Sequence, residues 1–263
     1  MYKLVAMDLD DTLLEKDKTV LSETADVLRR LYEKGIHIAI SSGRILQTQM
    51  SVAKRFCEKA SYVSYNGAVV VFEDGTKAEY YVPEDRVKAI ACYCKEKGIY
   101  MQTYHNGLIC TEYDSPELRA DLDTMHTDVI ELGDLSKADI PRTPKVVVIT
   151  PPEDGDAVCA ALAKEFPDLY VTRSSGMVIE IMPKGVDKAH GLSLVCEKLG
   201  LKSDDAIVFG DNYNDIGMVS WAGMGVAVAN AVDDLKKIAG IVSKKERSAG
   251  VAEVLRSVFA DIL

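Results

Sequence analysis

LVAMDLDDT, residues 4–12, joins an apolar run to three carboxylates within four residues. The apolar run Leu4–Met7 predicts a short buried strand. Carboxylates this close repel one another and raise one another's pKa values. This repulsion is tolerable if a cation and a phosphate occupy the site. Side chains two apart on an extended segment point the same way, so Asp8 and Asp10 are predicted to face one pocket at the strand's carboxyl end. The alternative is an acidic surface turn, or an Asp N-cap for the following helix.

Strands and helices alternate after that stretch and again near the end of the chain. The predicted elements are a helix over Ser22–Lys34, a strand over Ile36–Ile40, a helix over Gln47–Lys59, a helix over Lys188–Lys198, strands over Ala206–Phe209, Gly225–Val228 and Ile241–Val242, and a helix over Val251–Ile262. Ser22 is a predicted N-cap and Gly35 a predicted C-cap. Such alternation is typical of a parallel α/β core, whose strand carboxyl ends share one ligand-binding edge. We expect Asp8, Asp10 and Ser42 at that edge.

The middle of the chain has a different pattern. Asn66-Gly67 and Asn106-Gly107 lie between apolar stretches and predict tight hairpins. The same region predicts helices over 84–97, 115–125 and 156–166, and strands over 145–150, 169–173 and 177–182. We therefore predict an inserted α+β domain over 83–183, within a core formed by 1–82 and 184–263.

Composition restricts the class of protein. The 263 residues are 48% hydrophobic and 27% charged, which is typical of a soluble globular protein. The net charge of -10 argues against nucleic acid and anionic membranes as partners. The first residues lead directly into a strand, so we expect no signal peptide. The six scattered cysteines are expected to be reduced thiols in a cytoplasmic protein.

Polar groups suited to phosphoryl transfer follow three predicted strands. Asp8 and Asp10 follow the first, Ser42 the second, and a loop of Gly210-Asp211-Asn212-Tyr213-Asn214-Asp215 the third. Lys188, at a helix start, could supply positive charge. Taken singly, Ser42 suits a helix cap, Lys188 a solvated surface and Gly210-Asp211 a common turn. Their coincidence at strand ends and helix starts favours one phosphate site.

These motifs together resemble the haloacid dehalogenase superfamily, in its Cof-type phosphatase branch with a type IIB cap. Asp8-Leu9-Asp10-Asp11-Thr12 is similar to its DxDGT motif, with Asp11 in place of glycine. Ser42-Gly43-Arg44, Lys188 and Gly210–Asp215 match the second, third and fourth motifs. Ala249-Gly250-Val251 stands where the family usually has Asp-Gly-Val. The resemblance implies a Rossmann-like parallel-sheet core with an inserted cap, over nearly the whole chain.

The resemblance also implies a mechanism. Asp8 would attack phosphorus and form an aspartyl-phosphate, and Asp10 would act as general acid and then base. Mg²⁺ would be the cofactor. Its expected ligands are Asp8, the backbone carbonyl of Asp10, Asp211 and Asp215, the last being either a ligand or an acceptor that orients one. The groups expected to hold the phosphoryl oxygens are Ser42, Gly43, Lys188 and Asn214, with Arg44 as a further substrate contact.

Several residues have competing interpretations. Arg44 either helps to bind substrate or forms a surface salt bridge. Tyr104, His105 and Asn106 lie at a predicted hairpin, where a plain polar turn is favoured over a cap residue that binds the leaving group. Asn66 suits a turn better than a ligand.

The main functional hypothesis is a magnesium-dependent phosphatase for small phosphorylated metabolites, such as sugar phosphates or cofactor phosphates. A phosphomutase would pass the phosphoryl group to another hydroxyl. A dehalogenase would use Asp8 on carbon, but the family's dehalogenases lack the second acid, Asp10. A receiver-like module would merely hold phosphate on Asp8. We expect a monomer or small homo-oligomer, and neither nucleic acid nor membrane as a partner.

Overall fold

The computed structural model describes residues 1–119, 127–174 and 176–263. The strands of this part of the chain are β1 (Leu4–Met7), β2 (His37–Ser41), β3 (Ser61–Ser64), β4 (Val69–Val71), β5 (Lys77–Glu79), β6 (Tyr100–His105), β7 (Leu108–Thr111), β8 (Val129–Glu131), β9 (Val146–Ile149), β10 (Leu169–Arg173), β11 (Val178–Pro183), β12 (Ala206–Gly210), β13 (Met224–Ala227) and β14 (Ile241–Val242). The helices are α1 (Ser22–Glu33), α2 (Leu46–Ala53), α3 (Glu84–Lys97), α4 (Gly155–Glu165), α5 (Lys188–Leu199), α6 (Ile216–Trp221), α7 (Asp233–Ile238) and α8 (Arg247–Val258).

The chain divides into two compact units. The core unit comprises Met1–Ala78 and Asp187–Leu263, and the inserted unit comprises Glu79–Val186. The domain limits predicted from the sequence, 83 and 183, both lie inside the inserted unit.

The core unit contains an eight-stranded sheet in the order β14-β13-β12-β1-β2-β3-β4-β5. The pairs from β14 to β3 are parallel, and β4 returns antiparallel to β3. In the centre of the sheet Met7 lies opposite Ile40 on one side and Phe209 on the other. The parallel α/β core predicted from the sequence is therefore confirmed.

Burial of the central strands stabilises this core. Every residue of β1 and of β12 is buried, which means that both faces of the sheet are covered there. Full burial of one large aliphatic side chain such as Leu4 or Met7 contributes about 1.5–3 kcal/mol. On the helical layers α1 packs against α8, and α5 packs against α6. These contacts hold the strand ends that carry the polar residues.

The inserted unit has its own six-stranded sheet, in the order β10-β11-β9-β6-β7-β8. Its pairs are antiparallel except for β7 with β8. Alternate residues of β9, Val146 and Val148, share an apolar cluster with Ile90 of α3 and Leu162 of α4. The predicted α+β character is confirmed.

Several local predictions differ from the structure. Ser22 is the first residue of α1 and not its N-cap. The N-cap position is occupied by Leu21, whose side chain makes no capping hydrogen bond. α2 ends at Ala53 instead of continuing to Lys59, because the chain tightens into turns in which the amide of Phe56 bonds the carbonyl of Ala53. The predicted helix over 115–125 lies partly outside the described residues. Strand β8 and helices α6 and α7 have no counterpart in the sequence analysis.

Two other expectations concern cysteines and membranes. All six cysteines are free thiols, and four of them are buried. In the part of the chain that is described, no helix combines the length and apolar character needed to cross a bilayer.

Candidate active site

Three adjacent parallel strands bring the motif residues to one edge of the core sheet. β12, β1 and β2 are neighbours, and their carboxyl ends lead into Asp211, Asp8 and Ser42 respectively. Adjacent strands are about 4.8 Å apart, so residues that follow them are brought close together. The edge predicted from the alternation of strands and helices is therefore the edge that carries these groups.

Three carboxylates meet at this edge. Asp8, Asp211 and Asp215 are all buried, and each offers a carboxylate oxygen within 4.8 Å of the others. The oxygen-only donor set suits Mg²⁺, which prefers carboxylate ligands. Like charges this close and this buried are unfavourable without a compensating cation. The three residues therefore fit a divalent metal site.

Lys188 supplies one compensating charge from within the cluster. Its Nζ donates hydrogen bonds to Asp8 Oδ1 at 2.6 Å and to Asp215 Oδ1 at 2.5 Å. The side chain is fully buried, so the solvated-surface interpretation of Lys188 is wrong. α5 begins at Lys188, where Asp187 Oδ1 caps the helix by accepting from the His190 amide at 2.7 Å. This cap fixes the start of the helix and thereby the root of the lysine side chain.

The electrostatics of the cluster follow from burial. Burial raises the pKa of Asp8 to about 7, with Lys188 opposing the shift and Asp215 reinforcing it. Burial, followed by repulsion from Asp215 and Asp8, raises the pKa of Asp211 well above its usual range. Burial alone would lower the pKa of Lys188, but Asp215 and Asp8 outweigh it and hold that pKa above its ordinary value. One ammonium thus does not compensate three ionised acids, and Asp8 and Asp211 hold their protons to higher pH than exposed carboxyl groups do.

Asp215 is held by the loop in which it lies. Its Oδ2 accepts from the amides of Asp211 at 2.9 Å and Asn212 at 3.0 Å, while Oδ1 accepts from Lys188. Gly210 makes this approach possible, because a Cβ atom there would lie 2.5 Å from the Cβ of Asp215. The arrangement explains why the last residue of β12 is a glycine.

Thr12 is a site residue that the sequence analysis did not identify. Its Oγ1 donates to Asp211 Oδ1 at 2.7 Å, and the side chain is fully buried. The available signal was its place in the first motif, four residues after Asp8. The bond joins the turn after β1 to the loop after β12.

Asp10 is not one of the three clustered carboxylates, but its charge acts on Asp8 and helps to raise the pKa of that residue. Its carboxylate accepts from Arg44 Nε at 2.7 Å and Nη2 at 2.6 Å, and from Lys18 Nζ at 2.8 Å. β1 ends at Met7, and Asp8 and Asp10 keep extended backbone angles, with φ -69° and -70°, before Asp11 turns the chain at φ 58°. Burial would raise the pKa of Asp10, but Arg44 and Lys18 hold it below its usual value.

Arg44 forms the salt bridge that the sequence analysis considered, but not at the surface. The residue is 4% exposed, and its guanidinium contacts both oxygens of Asp10. A two-point contact of this kind fixes the carboxylate in orientation as well as in position.

Ser42 lies in the loop between β2 and α2. Its amide donates to the Val63 carbonyl at 2.9 Å, and its Oγ accepts from the Arg44 amide at 3.3 Å. α2 begins only at Leu46. Ile45 directly precedes α2, so Ser42 does not cap this helix and the interpretation of Ser42 as a helix cap is wrong.

Asn66 connects the Ser42 loop to the Asp215 loop, which the sequence analysis did not foresee. Its amide donates to the Ser42 carbonyl at 3.1 Å, and its Oδ1 accepts from Asn214 Nδ2 at 3.4 Å. Asn66 has φ 53° and lies in the turn between β3 and β4, as its Asn-Gly pattern predicts. A turn former thus also links two parts of the site.

The three candidates in the inserted unit occupy different environments. Tyr104 is fully buried in β6, and its hydroxyl accepts from Gln102 Nε2 at 2.8 Å. His105 ends β6, and Asn106 has φ 51° in the predicted hairpin turn to β7. Only His105 and Asn106 therefore lie near the hairpin tip.

Comparison with known proteins adds family and fold to this geometry. Residues 5–255 match the haloacid dehalogenase-like hydrolase family. The chain is similar to the 5-amino-6-(5-phospho-D-ribitylamino)uracil phosphatase YitU of Bacillus subtilis, with 29% identity over 98% of this chain and 97% of that protein. It is also similar to a phosphoglycolate phosphatase of Methanopyrus kandleri, with 28% identity over 100% of this chain and 99% of that protein. A solved haloacid dehalogenase-like hydrolase from Bacteroides thetaiotaomicron aligns with a TM-score of 0.84 and 28% identity, over 98% of this chain and 100% of that one.

Proposed function

Because this chain belongs to the haloacid dehalogenase-like hydrolase family and is a phosphatase of that family, we propose that it hydrolyses small phosphorylated metabolites, with Mg²⁺, through an aspartyl-phosphate intermediate. The observation that carries this proposal is the buried cluster of Asp8, Asp211, Asp215 and Lys188 at one sheet edge. Such a cluster combines a carboxylate nucleophile with a cation site and a fixed ammonium.

Asp8 is the proposed nucleophile. Lys188 bonds its Oδ1, which holds the carboxylate in one orientation and leaves Oδ2 for attack on phosphorus. Attack forms an Asp8 oxygen–phosphorus bond and breaks the bond to the leaving alcohol oxygen. Water then cleaves the aspartyl-phosphate and releases inorganic phosphate, which regenerates Asp8.

Mg²⁺ is the proposed cofactor, held by Asp8, Asp211 and the backbone carbonyl of Asp10. When bound, it would neutralise phosphate charge and orient the transferring group. Both oxygens of Asp215 already accept hydrogen bonds, from Lys188 on one side and from two backbone amides on the other. We therefore assign Asp215 to orienting Lys188 and the metal-binding loop.

Asp10 is the proposed general acid and base. In the arrangement with Arg44 and Lys18 its carboxylate is ionised, as a base requires. To act as the acid in the first step, it takes up a proton after leaving these two cations. Arg44, in contact with both Asp10 oxygens, is suited to orient this group as well as to contact substrate.

The phosphoryl oxygens are proposed to contact Ser42, Gly43, Lys188 and Asn214. Lys188 belongs to the cluster, Asn214 directly precedes Asp215 in the chain, and Asn66 links Asn214 to the Ser42 loop. Hydrogen-bond donors fixed before substrate arrives stabilise the charge that develops during phosphoryl transfer.

The remaining parts of the proposal concern substrate and setting. We assign a small phosphorylated metabolite as substrate, and the inserted unit Glu79–Val186 as the part that selects the leaving group. A net charge of -10 and six free thiols support a cytoplasmic monomer or small homo-oligomer without nucleic-acid or membrane partners.

A phosphate-release screen tests the proposal. The wild type, with Mg²⁺, is assayed against a panel of sugar, polyol and nucleotide phosphates beside p-nitrophenyl phosphate. We expect Mg²⁺-dependent release of phosphate that Asp8→Asn abolishes while the circular dichroism spectrum stays unchanged. Full activity after chelation, or unchanged turnover in Asp8→Asn, would contradict the mechanism.

A further inference from the structure

The turn after β1 contains a residue that the family pattern does not predict. Asp11 stands where DxDGT has glycine, and it adopts φ 58° and ψ 4° in the left-handed region. Aspartate and asparagine are among the few side chains that tolerate this region. The Asp11 carbonyl also accepts from Asn230 Nδ2 at 2.7 Å. Asp11 thus keeps the glycine-like turn and adds a side chain to it.

That side chain pairs with the first residue of α8. Arg247 places Nε and Nη2 each 2.9 Å from Asp11 Oδ1, and its side chain is 12% exposed. The Arg247 amide donates to Asn230 Oδ1 at 2.9 Å, which closes a ring of contacts among the three residues. We call Asp11, Asn230 and Arg247 the anchor cluster. It ties the turn to both the loop after β13 and the start of α8.

The two departures from the family motifs lie in the two segments that this cluster joins. Asp11 introduces an acid in the turn, and Ala249 lacks the acid that the family usually carries there. Arg247, two residues before Ala249, bonds the introduced carboxylate. The introduced carboxylate therefore joins these two segments by an ion pair.

The anchored turn carries groups that the mechanism needs. It begins directly after Asp8, contains Asp10, and contains Thr12, which bonds Asp211. We propose that Asp11 is a positioning residue, which through Arg247 and Asn230 holds this turn so that Asp8 and the Asp10 carbonyl stay aligned for Mg²⁺. This inference rests on the metal site of the proposed function. A glycine at position 11 could also adopt the left-handed conformation of this turn, but it would give the backbone access to other conformations as well.

The test uses Asp11→Gly, which restores the family residue, with Arg247→Gln and the double variant. Asp11→Asn is the conservative rescue, because it keeps both an acceptor and the tolerance for a left-handed turn. Arg256→Gln is the matched control, since Arg256 also lies on α8 and forms an exposed pair with Glu23 at 3.1 Å. Each protein is measured for Mg²⁺ affinity by calorimetry, for kcat and KM with p-nitrophenyl phosphate, and for thermal midpoint.

We expect Asp11→Gly and Arg247→Gln each to weaken Mg²⁺ binding by about fivefold, the upper range for an ion pair of this exposure. The kcat should fall by a similar factor while KM changes little. The double variant should bind Mg²⁺ no more weakly than the single variant that binds it more weakly, because both substitutions remove one shared interaction. Asp11→Asn should lie between Asp11→Gly and wild type, and Arg256→Gln should equal wild type.

Wild-type Mg²⁺ affinity and kcat in Asp11→Gly would overturn the inference, as would additive losses in the double variant. A lower thermal midpoint with unchanged affinity and kcat would also overturn it, by assigning Asp11 to stability alone. A wild type that binds Mg²⁺ but releases no phosphate would refute only the proposed phosphatase reaction, and the affinities would then decide the role of Asp11. A wild type that binds no Mg²⁺ would overturn both.

Discussion

Asp8→Asn should stabilise the metal-free protein while abolishing its activity. The ionised Asp8 carboxylate is buried beside Asp211 and Asp215, so removal of its charge relieves repulsion and desolvation. Asparagine has nearly the same shape as aspartate and stays neutral at every pH of interest. The change therefore isolates the energetic cost of the charge.

The magnitude follows from the pKa of Asp8, which burial raises from 3.8 to about 7 despite the opposing ammonium of Lys188. The difference between this pKa of about 7 and the ordinary value of 3.8 corresponds to about 4 kcal/mol between the two protonation states. The residue is only 6% exposed, so solvent screening reduces this little. We expect Asp8→Asn to raise the free energy of unfolding by about 2–4 kcal/mol at high pH.

The sign depends on pH. Because the folded pKa lies above the unfolded one, the protonated acid favours the folded state, and this contribution is fully present below about pH 4. It is lost as pH rises through about 7, where the ionised form prevails. The advantage of Asp8→Asn should therefore vanish near pH 4 and be complete above about pH 8.

Urea unfolding, followed by circular dichroism at several pH values with chelator present, measures the free energy of unfolding of the wild type and of Asp8→Asn. Asp85→Asn is the control, because it removes the same formal charge from a side chain that is 77% exposed. Adding Mg²⁺ should stabilise the wild type more than Asp8→Asn, since ligand binding favours the folded state that binds it. Destabilisation of the metal-free Asp8→Asn protein near pH 8, or an equal gain in Asp85→Asn, would refute the reasoning.

Three further predictions test other parts of the site. Asp10→Asn should slow the hydrolysis of an alkyl phosphate by about 10²–10⁴-fold, but should slow the bond-breaking step with p-nitrophenyl phosphate much less, since that leaving group needs no proton. Rapid-quench assays with p-nitrophenyl phosphate should show protein-bound phosphate accumulating. Equal losses of rate with the two substrates would move the acid–base role elsewhere. Lys188→Met should cost about 3–5 kcal/mol of unfolding free energy without metal, because it leaves buried carboxylates unpaired; an unchanged urea midpoint would contradict this. Gly210→Ala should lower both Mg²⁺ affinity and thermal midpoint, since its Cβ would lie 2.5 Å from the Cβ of Asp215, whereas Gly240→Ala, whose Cβ would meet a flexible sulfur at 3.1 Å, should be tolerated; equal effects would refute the steric argument.

Much of the fold was predictable because its signals are local. The apolar run Leu4–Met7 forms β1 as predicted, and α3 spans Glu84–Lys97 and ends at Gly98 in a left-handed conformation. Such elements depend on periodicity and on residues with particular backbone preferences, both of which are visible in the sequence. Helix limits such as Ala53 were less predictable, because hydrogen bonds within the following turns decided them.

The sequence by itself determined which residue types follow which strands. The alternation of strands and helices placed Asp8 after β1 and Asp211 after β12 at one edge, since parallel strands share the direction of their carboxyl ends. A lysine at the start of α5 was equally visible, but its environment was not: nothing in the local pattern distinguishes a solvated lysine from one buried between two carboxylates.

Only the tertiary structure decided which charges pair. It paired Asp10 with Arg44, 34 positions away, and Asp11 with Arg247, 236 positions away. Hydrogen bonds reach about 3 Å, whereas strand periodicity specifies only the side of the sheet to which a residue belongs. The choice of partner thus depends on the turn Leu9–Leu13, in which the left-handed residue Asp11 redirects the chain.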